Sequence, residues 1–139
     1  MIRRSICLAL LALMACAVAP TRAGKIDIPD NAITVKVGQV LYIAFTADGD
    51  NLVSPRMFPA ASDTEPMVTV QLQQNGPTRT LLITNGYEKG LNYRGVARIR
   101  GRRREVELPV STVRGGQQSV LTLGEPFDEL LLFEFHLSS

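Results

Sequence analysis

The chain has 139 residues, two cysteines, one histidine and no tryptophan, with 15 Lys and Arg against 13 Asp and Glu. Arg3, Arg4 and Arg22 precede residue 24, so residues 24–139 hold 12 basic against 13 acidic side chains, a formal net charge of −1. That balance gives no general electrostatic reason to bind nucleic acid. One His, and no Cys beyond residue 16, also argue against the usual zinc and copper ligand sets.

The chain opens with Arg3 and Arg4 before an apolar run from Ile6 to Ala15, then small residues and a polar continuation. This is the pattern of an export signal, and the run is well short of the ~20 residues that a bilayer-spanning helix needs. Small residues at Thr21 and Ala23 place the cut after Ala23, which predicts a signal-peptide helix over 1–23 and one domain over 24–139, periplasmic or secreted. A rival reading takes Leu13 to Cys16, "LMAC", as a lipoprotein box. Cys16 would then carry a lipid and tether the protein to a membrane. Cys7 and Cys16 both fall in the leader, so the exported chain would have no disulfide and would rely on its core. A domain near this size buries roughly two thirds of the surface that its unfolded chain exposes, so a core alone is sufficient.

From Ile33 onward, apolar residues alternate or run in short blocks rich in Val, Ile, Leu and Phe, separated by Gly, Pro, Asn and Asp. The pattern predicts strands over 32–37, 39–46, 67–74, 79–84, 92–100, 104–111, 117–123 and 129–137. Short strands without intervening helices imply an all-β fold, an antiparallel immunoglobulin-like β-sandwich of about 7–8 strands. No internal repeat and no low-complexity tract interrupts it.

The first strand pair, "ITVKVGQVLYIAF" from Ile33 to Phe45, resembles the opening of several exported sandwich families, among them cupredoxins and immunoglobulin-like inhibitors of cysteine peptidases. A blue-copper centre would require a thiolate and two imidazoles, which residues 24–139 do not supply. The inhibitor family's Asn-Pro-Thr-Thr-Gly type of loop is replaced here by "TADGDNLVSP". The resemblance therefore implies an exported sandwich and nothing finer.

The next segment, Ala47 to Pro66, reads as a connection of roughly 20 residues, a length that is usually functional or disordered. Prolines flank Arg56, Met57 and Phe58, which would lower the entropy cost of presenting that apolar pair to a partner. The same stretch also fits a flap over the core or an extra strand. "DGDN" at 48–51 offers side-chain oxygens but lacks the terminal bidentate glutamate of a calcium loop, and Asp and Asn beside Gly form turns first of all.

In "RIRGRRRE", Arg98 to Glu105, five arginines fall within eight residues. Alternation places Tyr93, Ala97 and Ile99 on one face and Arg94, Arg98 and Arg100 on the other, with Glu105 and Glu107 returning on the charged side. A hairpin centred on Gly101-Arg102 sets Arg98 opposite Glu105. One centred on Arg102-Arg103 sets Arg98 opposite Glu107 instead. Either neutralises most of the run and leaves a tip of Arg102, Arg103 and Arg104 as a weak anion contact.

His136 shares a strand face with Glu134 near the chain end. No nucleophile motif accompanies it, so the predicted catalytic set is none, as are the metal and cofactor sets. A hydrolase using His136, or the acids Asp48 and Asp50, stands as the enzymatic rival. Sugar recognition is unadvertised, since only Tyr42, Tyr87 and Tyr93 offer ring faces apart from phenylalanine.

If consecutive strands reverse direction, the connections 47–66, 85–91 and 112–116 share one end and the arginine tip lies at the other. Loops clustered on a rigid scaffold are where recognition is built. Arg56, Met57, Phe58, Tyr87, Lys89 and Arg114 are accordingly the predicted partner-binding residues. The expected function is a non-enzymatic exported module that binds a protein partner in the cell envelope, in an inhibitor-like or immunity-like role. The alternative is a structural envelope component lipidated at Cys16.

Overall fold

The computed structural model describes residues 26–99, 105–125 and 127–138, and these form strands and connections without a helix. The strands are β1 (Ile33–Lys36), β2 (Val40–Asp48), β3 (Asn51–Phe58), β4 (Val68–Asn75), β5 (Thr78–Asn85), β6 (Leu91–Arg98), β7 (Glu105–Glu107), β8 (Gln118–Leu123) and β9 (Glu129–Leu137). All pairings are antiparallel, in one curled sheet of order β7-β6-β9-β3-β2-β4-β5-β8, with β1 added on β9. The leader, Cys16 and the tip residues Arg102, Arg103 and Arg104 lie outside the described residues.

Eight of these strands stand where hydrophobic alternation places them; β3 is the addition. The expected long connection over 47–66 is instead a hairpin followed by a shorter crossing segment. Asp48 pairs with Asn51 around Gly49, whose φ of +62° suits a residue without a Cβ, and β3 then runs back along β2. Arg56, Met57 and Phe58 therefore lie on a strand and not in a loop. The expected strand over 104–111 is shorter than its apolar pattern suggests, ending at Glu107 just before Leu108 and Pro109, because proline cannot donate to a ladder.

The curl has a definite cause. One edge of β9 pairs with β6 along nearly its whole length, while its other edge is shared between β1, over residues 129–132, and β3, through the single pair Asn51 and His136. The sheet thus divides into two arms, β7-β6-β9-β1 and β3-β2-β4-β5-β8, that fold toward each other about this seam. A further tie closes the β1 side, where the Gly38 N–H donates to the Leu72 carbonyl and the Leu72 N–H to that of Gln39.

Alternation decides what the arms enclose. In β4, Val68, Val70 and Leu72 are buried while Thr69, Gln71 and Gln73 face outward; Leu81 and Ile83 of β5 meet them from the next strand. Val35, Leu130, Leu132 and Phe135 come from the other arm into the same continuous core. Phe135 stands 4.9 Å from Phe45 and 5.8 Å from Tyr93, ring centre to ring centre. Each fully buried large apolar side chain stabilises the fold by roughly 1.5 to 3 kcal/mol, so the core holds the arms together without covalent links.

The two outer faces differ in kind. On the β9 arm an ion-pair lattice runs across the strands: Arg94 bridges Glu107 and Glu134, and Arg98 bridges Glu105 at 2.8 Å and Glu129 at 3.6 Å. Arg98 lies opposite Glu105, which is the first of the two registers that the arginine run allows. On the other arm, Leu82 lies between Gln71 and Val120, Thr84 between Thr69 and Gln118, and Thr80 between Gln73 and Thr122. Those three rows contain no charge.

Candidate functional site

One buried polar side chain organises the end of the molecule where the predicted loops meet. Asn85, the last residue of β5, is fully buried; its side-chain amide donates to the carbonyls of Lys89 and Val113 at 2.8 and 2.9 Å, and its Oδ1 accepts from the Tyr87 N–H at 2.9 Å. Its own carbonyl accepts from the Gly116 N–H. A single asparagine thus ties the 86–90 loop to the 112–116 loop and gives the Tyr87 N–H and the Lys89 carbonyl their partners, while the Val113 carbonyl also accepts from the Leu91 N–H. Gly115 completes the contact by close approach. A Cβ there would sit 2.0 Å from the Glu88 carbonyl oxygen.

The hairpin β2–β3 joins this end. Lys89 pairs with Asp50 at the hairpin turn, 3.2 Å apart, and Arg56 pairs with Glu65 at 2.6 Å on the segment that leads to β4. Residues Ser62 to Pro66 and Gly86 to Lys89 line an open recess of about 600 Å³. Tyr87 borders it, and burial raises its phenol above the ordinary value, with a hydrogen bond from the Phe45 backbone acting in the opposite direction. The Arg56 guanidinium lies over the Phe58 ring at 5.9 Å, and Met57 beside it is 51% exposed. Of the six residues expected to form a binding end, Arg56, Tyr87 and Lys89 gather around this recess. Met57 and Phe58 follow Arg56 on β3 and do not line the recess; Met57 stands in the row of Ile43 and Phe58 in that of Tyr42, so the two leave opposite faces of the strand, and Arg114 stands on the loop that Asn85 stitches in place.

A second concavity lies at the seam between the arms. It is a cleft of about 430 Å³ with a largely buried apolar lining of Ile33, Phe45, Leu52, Phe133 and Phe135. Two bulges shape it. In β3, Ser54 and Pro55 together oppose Phe45, with Ser54 at φ +49°; in β9, Glu134 and Phe135 oppose Tyr93, with Glu134 at φ +54°. A residue other than glycine in that conformation costs roughly 1 to 3 kcal/mol, so the surroundings must hold it. For Glu134 the holding contact is visible: Arg94 donates to its carboxylate at 2.8 Å while stacking on Phe133 at 5.2 Å. Those two glutamate bonds, to Glu107 and Glu134, raise the Arg94 pKa further, so it stays charged.

His136 and Asp48, the residues of the enzymatic rival, both line this cleft, but Asp50 does not: it is committed to Lys89. The His136 ring Nδ1 is 3.2 Å from the Glu134 carbonyl. Ser54, held at positive φ, is absent from the cleft lining. Among the described residues no group of three His, Cys, Asp or Glu side chains is placed to hold a metal ion. The cleft and its Arg94–Glu134 clasp were beyond the sequence reading, because a bulge does not announce itself in an alternating strand such as "ELLLFEFHL".

No protein-family model, curated protein or solved structure matches the chain.

Proposed function

We propose that the protein is a small exported, non-enzymatic domain of immunoglobulin-like sandwich character, and that it binds a protein partner through the end built around Asn85. The observation that carries this reading is the company kept by Met57 and Phe58. Two large apolar side chains stay solvent-accessible at the end of β3, and Arg56 next to them pairs with Glu65 of the recess that Tyr87 and Lys89 also line. Exposed aromatic and apolar anchors surrounded by arginine and tyrosine are what protein interfaces concentrate at their centres. Recognition of this kind needs shape and a few anchors and no reacting group, which suits an inhibitor-like or immunity-like role.

Partner capture from cell envelopes, comparing the wild type with a Met57→Ala, Phe58→Ala double variant, tests the assignment. Loss of two anchors of this class weakens binding by about 30-fold or more. If the double variant retained every partner, this end would not be the binding surface. Mass spectrometry of the exported protein checks the route of export: the expected mature terminus is a free Gly24, whereas a lipidated Cys16 would favour the structural envelope component.

A further inference from the structure

We propose that β8 is a self-association edge, and that two copies of the chain pair β8 with β8 antiparallel about a two-fold axis normal to the sheet. The inference is independent of the binding end around Asn85.

An unpaired strand edge presents a row of N–H and C=O groups to any other chain, and folded proteins normally block it with charge, proline, bulges or brevity. The other open edges here are blocked in just these ways. β7 has three residues, two of them Glu105 and Glu107, β1 has only four, and β3 carries Pro55 within a bulge. β8 has none of these devices. It pairs with β5 through all six residues without a register shift, and among the described residues no strand pairs with its other edge. Its sequence, Gln118-Ser119-Val120-Leu121-Thr122-Leu123, contains no proline and no charge. Val120 is 62% exposed, more than any other large apolar residue described.

The occupant follows from charge and symmetry. An edge with no charge meets its own copy without opposing like charges, and antiparallel pairing of an edge with itself is the geometry that a two-fold produces. Directly opposite residues of an antiparallel pair share a face, so the register must keep parity if the neutral outer faces are to be continuous. Centring the axis on Val120 does so. Val120 then faces its own copy, Gln118 faces Thr122, and Ser119 faces Leu121, which covers the most exposed large apolar side chain among the described residues. The uncharged rows of β4, β5 and β8 become one uninterrupted surface across both copies.

Sedimentation of the full chain, exported and purified at roughly 10 to 100 µM, should give twice the monomer mass, with little dependence on salt. Val120→Lys would bring two ammonium groups together at the axis. It should raise the dimer dissociation constant by at least about tenfold while leaving the circular-dichroism spectrum near that of the wild type, because the side chain is exposed. In a Cys7→Ser, Cys16→Ser background, Val120→Cys supplies the only thiol, and mild oxidation should yield a covalent dimer. The Met57→Ala, Phe58→Ala variant should dimerise normally. A wild type that sediments as a monomer at 100 µM, or a dimer that Val120→Lys leaves intact, would overturn the proposal.

Discussion

Tyr93 shows how a single side chain reports on the core. Burial drives its phenol from 10.0 up to about 12, opposed only in part by a hydrogen bond with Ser119 on the facing strand β8. Below pH 10 the folded and unfolded chains both hold this proton, and the group adds no pH dependence. Between 10 and 12 the unfolded chain releases the proton and the folded one keeps it, so stability falls with rising pH by about 2 to 3 kcal/mol in all. Denaturant titrations of the wild type and Tyr93→Phe should diverge in slope over that window and run parallel below it. The variant should also lose about 1 kcal/mol at neutral pH through the missing Ser119 bond. Asn85 has a larger effect for a different reason. Asn85→Ala removes one acceptor and two donor bonds at the junction of the two loops, which should cost on the order of 2 to 4 kcal/mol and speed amide exchange at Tyr87, whose N–H the Asn85 side chain accepts.

At the scale of elements, β3 marks the boundary between what the sequence reveals and what it conceals. Strands such as Val68–Asn75 and Thr78–Asn85 carry a clean two-residue period because one face meets the core and the other meets water. The facing of arginine against glutamate across β6 and β7 was legible for the same reason, since charge alternates as strictly as burial, whereas the choice between the two possible registers comes from the structure. "NLVSPRMF" breaks the period at Ser54-Pro55, where the bulge inserts a residue, and proline there argues against a ladder. The available signal was the Asp48-Gly49 pair, a turn former standing between the strand at 40–48 and the one that follows it. The binding end was partly legible, since loop counting along reversing strands brings the 85–91 and 112–116 connections together. The seam cleft was hidden, because its two bulges depend on tertiary strain. That strain is measurable. Ser54→Gly relieves the positive φ and should stabilise the fold by about 0.5 to 1 kcal/mol, whereas Glu134→Gly gains nothing net because it breaks the Arg94 clasp. Matched thermal melts of the two variants separate these outcomes.

At the scale of the whole molecule, the question is whether two arms joined at a narrow seam behave as one body. The backbone link between them is slight: the pair Asn51 and His136, the Leu137 N–H bonded to the Asp50 carbonyl, and the hydrogen bonds around Gly38 and Leu72. The side chains tell otherwise, because one core draws on both arms: Val35, Leu130 and Leu132 from one side, Ile43, Val70 and Ile83 from the other. Neither set has another apolar surface to meet, so opening the arms would expose both inner faces at once. Unfolding should therefore be two-state, with tyrosine absorbance and far-ultraviolet dichroism giving coincident transitions. Leu132→Ala on one arm and Ile83→Ala on the other should each lower that single transition, by about 2 to 5 kcal/mol, without splitting it. Two separable transitions, each shifted by only one of the substitutions, would mean that the seam is a domain boundary and not a fold in one sheet.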